Sequence, residues 1–168
     1  MTQKPLSATE ERVWRAVARL IVALPRTLDE DLQSGAGVSL THYIVMMSLS
    51  EAPGRRLRMS DLAARAALSP SRMSRIVQSL QARGLVSRSV SGEDARTGIA
   101  TLTDLGLETL SEAWPTHLAS VRSILLDQID SADLRSIAAV IERVVQAAEK
   151  PAAARSLPAC GEPRDESA

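Results

Sequence analysis

The stretch Ser60-Asp-Leu-Ala-Ala-Arg-Ala-Ala-Leu-Ser-Pro-Ser-Arg-Met-Ser-Arg-Ile-Val-Gln-Ser-Leu-Gln-Ala-Arg-Gly84 decides the fold. Ser60 can cap a short helix, Asp61 to Ala67, whose apolar positions are Leu62, Ala63 and Ala66. Leu68 then leads into Ser69-Pro70. A serine at the cap is followed there by the one helical position where proline costs nothing, because the N–H it lacks has no partner in a first turn. From Pro70, Met73, Ile76, Val77 and Leu80 recur at helical spacing and form an inward stripe. Ser71, Arg72, Ser74, Arg75 and Gln78 are left facing outward, and Arg83-Gly84 supplies the stop. Two short helices joined by a tight turn, the second with an Arg/Ser/Gln outer face, predict a helix-turn-helix.

The flanks extend this reading. Leu85 to Val90 and Ile99 to Thr103 alternate apolar and polar residues around a polar, glycine-flanked tip, Ser91 to Gly98, which predicts a β-hairpin, a wing beside the helix-turn-helix. Upstream, Ser7-Ala-Thr-Glu10 reads as a capping box ahead of a long helix with Val13, Val17, Leu20, Ile21, Leu24 and Leu28 on one side. That helix is expected to bend at Pro25 and to end at Gly35 and Gly37. Ser39 caps a second helix carrying Tyr43, Ile44, Met46, Met47 and Leu49. Downstream, Thr103 caps a helix with Leu107, Leu110, Trp114, Leu118, Val121 and Leu125, with a kink expected at Pro115. Asp130 to Asp133 interrupts and recaps it. The final helix carries Leu134, Ile137, Ala138, Ile141, Val144, Val145 and Ala148.

The fold class is therefore mainly α with a small β-hairpin wing, a winged helix-turn-helix flanked by N- and C-terminal helices. The stripes from Val13 to Leu28 and from Leu134 to Ala148 are wider than a small winged module needs to cover itself, which assigns those helices to dimerisation. The chain divides into an N-terminal dimerisation helix (7–34), a DNA-binding winged helix-turn-helix (39–103), C-terminal dimerisation helices (104–150) and a disordered tail (151–168) rich in Pro, Ala, Arg and Glu.

Charge supports a polyanionic partner. The formal net charge is 0, yet residues 55 to 96 hold nine arginines against Asp61, Glu93 and Asp94, so this segment carries +6 and the rest −6. A local basic field on an acidic remainder holds a polyanion on one face. Composition excludes other classes. At 168 residues and 45% hydrophobic content the chain suits one domain or a small module plus helices. No apolar run is long enough for a membrane span, and the first thirty residues lack a signal pattern, so a cytoplasmic protein is expected. The single cysteine, Cys160, forms no internal disulfide, and two distant histidines make no zinc cluster; no metal or cofactor is expected. No nucleophile, base and orienting group recur in a pattern that suggests an enzyme.

The sequence resembles the MarR family of bacterial regulators across roughly Val13 to Glu149. The resemblance rests on Leu57-Arg-Met-Ser-Asp-Leu-Ala63, Leu68-Ser-Pro-Ser-Arg-Met-Ser-Arg-Ile-Val77, Leu80-Gln-Ala-Arg-Gly-Leu-Val86, and Asp94-Ala-Arg96 followed by Leu102-Thr-Asp-Leu-Gly106. It implies a homodimer whose first and last helices interleave, each subunit offering one recognition helix and one wing to double-stranded operator DNA. Ser71, Arg72, Ser74 and Arg75 are then nearest the major groove, with either Arg72 or Arg75 placed for bidentate contact to guanine. Ser69 and Ser71 suit phosphate, as does Arg88 on the hairpin. In the family the wing arginine, here Arg96, reaches into the minor groove while the aspartate, here Asp94, holds the loop; a narrow minor groove attracts a guanidinium. Arg55, Arg56 and Arg58 read equally well as plain solvated charge.

Members of the family often answer to a small phenolic or other aromatic ligand. Trp14, His42, Tyr43, Met46, Met47, Trp114 and His117 are the residues able to line a pocket for one. The expected function is a transcriptional repressor released by such a ligand. The alternatives are a regulator without a ligand and a winged-helix module that holds another protein. The second of these calls for an apolar or acidic outer face on the recognition helix.

Overall fold

Ser7 and Glu10 close their capping box: the Ser7 N–H donates to Glu10 Oε2 (2.7 Å) and the Glu10 N–H to Ser7 Oγ (3.3 Å). From it α1 (Ala8–Ala36) runs without a break through Pro25. In the computed structural model, residues 4–90 and 98–150 are described, and the chain falls into two units divided after Leu126. Asp94, Arg96 and the tail from Pro151, with Cys160, lie outside the described residues.

Gly37 alone ends α1. Its φ of 65° is left-handed backbone that glycine adopts without strain, and its N–H turns back to Gln33 O at 3.1 Å. Gly35 stays helical for a different reason: a Cβ there would stand 2.8 Å from Thr116 Cγ2. A side chain at this position would have to displace that of Thr116. Ser39 caps α2 (Leu40–Ser50) as expected, its hydroxyl accepting from the His42 N–H. The buried face of α2 includes Val45 and Ser48 besides Tyr43, Met46 and Leu49, with the Ser48 hydroxyl donating to Ile44 O (2.8 Å).

The helix-turn-helix is α3 (Met59–Arg65) and α4 (Pro70–Ala82). One expectation needs correction. Arg58, not Ser60, stands at the cap of α3 and makes no side-chain bond there, while Ser60 lies inside the helix and donates to Asp61 Oδ1 (3.2 Å). The preceding residues have become a strand, so the helix starts earlier than its serine. Between α3 and α4 the chain turns through Ala67 at φ 51°, a strained conformation for a residue with a Cβ.

That strand is β1 (Arg56–Arg58), preceded by a single 3-10 turn (Pro53–Arg55). With the wing strands β2 (Val86–Val90) and β3 (Gly98–Leu102) it makes an antiparallel sheet of order β1-β3-β2, with Leu57 opposite Ala100 and Arg88 opposite Ala100 on the other side. Thr103 then joins three segments: its hydroxyl accepts from the Gly106 N–H (3.0 Å) and lies 2.8 Å from Gly84 O, while its N–H donates to Leu85 O (3.1 Å). Here α5 (Asp104–Ile124) begins, continuous across Pro115. A Cβ on Gly106 would stand 2.1 Å from Leu85 O, so no other residue fits the start of α5.

The core of this unit closes Leu32, Tyr43, Met46, Leu49, Leu62, Met73, Val77, Leu80 and Leu102 almost completely from water. Asp31 accepts from the Ser120 hydroxyl at 2.7 Å and so ties α1 to α5. The second unit contains α6 (Leu134–Glu149), which follows a turn closed by the Asp133 N–H on Asp130 O (2.9 Å). Asp133 makes no side-chain cap bond, so the recapping expected of it is done by backbone alone.

Candidate nucleic-acid interface and ligand cavity

Met73, Val77 and Leu80 are fully buried, and their burial fixes the rotation of α4 about its axis. With that rotation set, Ser69, Ser71, Arg72, Arg75, Gln78 and Ser79 are exposed and Ser74 is half-buried. The Ser69 hydroxyl accepts from the Arg72 N–H (3.3 Å) and lies 3.3 Å from Ser71 Oγ. The helix start therefore presents two hydroxyls together, with two guanidiniums one turn further on. Among the described residues no carboxylate pairs with Arg72 or Arg75, so both charges are available to an outside anion.

Arg88 is exposed on β2, and its side chain lies over Gly98: a Cβ on Gly98 would stand 2.7 Å from Arg88 Nε. The three arginines that the sequence left without a role separate. Arg55 is engaged, its Nη2 2.9 Å from Asp104 Oδ1 at the start of α5. Arg56 and Arg58 are exposed on β1, opposite Thr101 and Ile99.

The residues proposed for a ligand divide in the same way. Tyr43 and Trp114 share the wall of a cavity of about 330 Å³, together with Met47, Ser50, Glu51, Leu110 and Ser111. His117 packs beside both rings, with centroids 4.5 Å from Tyr43 and 6.2 Å from Trp114. Its Nδ1 is buried without a hydrogen-bond partner, and burial pushes its pKa down. Burial likewise pushes the Tyr43 hydroxyl up, so that both groups stay neutral near pH 7. Met46 is not a cavity residue. It is fully buried in the core, because the α2 face carrying Val45, Met46 and Leu49 points inward. His42 is not on the cavity wall either; burial and then the Arg83 charge lower its pKa, with Asp29 opposing.

Trp14 is more than half exposed in a different, larger concavity of about 740 Å³, lined by Ala8, Glu11, Arg12, Arg15, Ala18 and Arg19. All of those residues belong to α1, and a groove along one helix has no opposing wall to enclose a small molecule. The positions missed in the sequence were Ser50, Glu51, Leu110 and Ser111. A signal for them existed: Tyr43, Met47 and Ser50 are spaced by four and three, as are Leu110 and Trp114 by four, which places each set on one helix face.

The architecture has solved counterparts. Sco3205 of Streptomyces coelicolor, a MarR family transcriptional regulator solved in complex with DNA, is 34% identical and superposes with a TM-score of 0.82 over 92% of this chain and 96% of its own. The chain belongs to the MarR family. A sequence profile of that family matches residues 36–97, a span that includes α2, α3, α4 and β2. A second MarR family transcriptional regulator of the same organism, AbsC, is 33% identical with a TM-score of 0.78, covering 86% of this chain and 97% of its own. PcaV, also from Streptomyces coelicolor and solved with its natural ligand, shares the fold at 22% identity and a TM-score of 0.65, over 89% of this chain and 100% of its own. No curated protein matches at the level of sequence. As a MarR family member the chain is a transcription regulator, and no described helix is long and apolar enough to cross a membrane.

Proposed function

We propose that this MarR family chain is a repressor that binds double-stranded operator DNA as a homodimer and leaves it when a small molecule enters the cavity beside Tyr43 and Trp114. The observation that carries the DNA reading is the outer face of α4, where Ser69, Ser71, Arg72 and Arg75 are exposed around a fully buried apolar stripe. A helix with this face fits the major groove, where one bidentate arginine on guanine is worth ~1–3 kcal/mol of discrimination. Arg88 adds a phosphate contact from the sheet. Arg96, with Asp94, is the further contact of this reading, reaching into the minor groove as the family resemblance implies. The protein-module alternative wants an apolar or acidic face at α4, and this one is neither.

Dimerisation supplies the second recognition helix that a palindromic site needs. Its support is apolar surface exposed on both flanking helices, Val13, Trp14, Val17, Leu20 and Ile21 on α1 and Val140, Ile141, Val144 and Val145 on α6. On this reading the dimerisation segments are 7–34 and 104–150, and 39–103 binds DNA. Release by a ligand is supported by the size of the cavity and by the ligand in PcaV.

The test is a competitive gel shift with genomic fragments at moderate salt. One fragment should compete far better than bulk DNA, and Arg96→Ala should weaken that complex while leaving the protein dimeric. If no fragment outcompetes bulk DNA, binding is by phosphate alone and the regulator reading of the α4 face is wrong.

A further inference from the structure

We propose that the cavity between α2 and α5 takes a small organic cation, an amine or quaternary ammonium attached to an apolar group. This rests on the reading of the chain as a regulator that answers to a ligand, and it names the ligand's charge. Seven residues line the cavity, and Glu51 is the one among them with a formal charge. Two more are serines whose protons are already committed: Ser50 donates to Met47 O (2.8 Å) and Ser111 to Leu107 O (2.9 Å). Each oxygen therefore has lone pairs to offer an occupant, and no proton. The remaining wall is Tyr43, Trp114, Met47 and Leu110.

The one formal charge on this wall is negative. A carboxylate, serine lone pairs and two aromatic residues together favour a cation over an anion. The Tyr43 hydroxyl and the Trp114 indole N–H can each donate one hydrogen bond, without charge. His117, packed against both rings, is held neutral by burial and adds no positive charge to offset Glu51. The volume of about 330 Å³ suits a ligand of one ring with a short substituent. An aromatic carboxylate of the same size would enter without a cationic partner and would lie against Glu51.

Trp114 reports occupancy directly once Trp14→Phe makes it the single tryptophan. Titration with benzyltrimethylammonium should quench it saturably, whereas salicylate at matched ionic strength should bind at least about fivefold more weakly. Glu51→Gln should weaken the cation about five- to tenfold, as expected for loss of a partly exposed charge beside an aromatic face, and should not weaken salicylate. Ligand-observed NMR with the same two probes on the unaltered chain gives a readout that does not depend on Trp14→Phe. Tighter binding of salicylate, an unchanged cation affinity in Glu51→Gln, or no saturable cation binding overturns the proposal. The gel shift separates the two levels. Release of a specific DNA complex by salicylate keeps the ligand-answering regulator and discards the cation, whereas absence of any specific complex discards the regulator whichever probe binds.

Discussion

Helices α4 and α6 look alike as strings of residues and differ as surfaces. Each repeats apolar side chains every three or four positions. On α4 that stripe is closed: Met73, Val77 and Leu80 have no exposed surface. On α6 it is open, with Val140, Ile141, Val144 and Val145 each 47–59% exposed. Full burial of such a side chain is worth ~1.5–3 kcal/mol. On α4 that gain is realised in folding, and it is what holds Arg72 and Arg75 outward. On α6 much of it is still to be realised, and a second copy of the chain is the partner proposed above. An amphipathic pattern states that a face will be covered; it does not state by whom.

The comparison is most strongly tested by the same kind of truncation on both helices. Leu80→Ala should destabilise the folded chain by ~2–5 kcal/mol, read as a lower urea midpoint with unchanged slope. Val144→Ala should barely move the midpoint measured under conditions where the chain is monomeric. If the two truncations cost the same there, the open stripe of α6 is covered by its own chain and the contrast fails. Val144→Asp sharpens the point, since a charge in an intermolecular apolar face should convert a dimer into monomers on a sizing column while far-UV circular dichroism is retained.

Next in size is the polar side of α4. Arg72→Ala and Arg75→Ala, made separately, should each leave the melting temperature unchanged. The one that contacts guanine should cost ~1–3 kcal/mol of operator affinity and relax the preference at one base pair, and the other should lower affinity evenly across sequences and reduce its salt dependence. A loss of folding stability instead would mean that these side chains serve α4 itself.

A smaller effect is expected from acid. His42 and His117 are both held below the ordinary histidine value by burial, so on acidification the unfolded chain takes up protons that the folded chain refuses. Stability should be complete above the ordinary value of about 6.5 and should fall as pH drops from there toward the two lowered values. Melting temperatures between pH 8 and 5 measure this, and His117→Gln should flatten the slope. The smallest effect is at the turn between α3 and α4. Ala67→Gly removes the Cβ strain at φ 51° at some cost in chain entropy, for a net gain of a few tenths to ~1 kcal/mol in chemical denaturation.

Much of the fold was legible because its signals are local. Ser7 with Glu10, Ser39, Ser69 with Pro70, and Thr103 all cap the helices their positions suggest, and each capping bond spans three residues. The hairpin was legible through alternation. Strand β1 was not, because Arg56-Leu-Arg58 is too short to show a period and exists only by pairing with β3, some forty residues later. Its formation also explains why Ser60 lost the cap. The exposure of Ser69, Ser71, Arg72 and Arg75 was legible because it follows from the stripe of α4 itself. The meeting of the aromatic residues was not legible: Tyr43 and Trp114 share one cavity wall, His117 packs beside them, and Met46 and Trp14 lie elsewhere.

By itself the sequence determined the side-chain caps of α1, α2, α4 and α5, which face of α4 is polar, and that residues 55 to 96 carry the positive charge, since capping, periodicity and charge are properties of neighbours along the chain. Only the tertiary structure decided that Arg55 is taken up by Asp104, that Gly35 meets Thr116 and Gly106 meets Leu85, and that Glu51 stands at the cavity of Tyr43 and Trp114. Those pairs lie some fifty residues apart or more, or are joined only across packed elements, and no local rule fixes which side chains meet when two stripes close on each other.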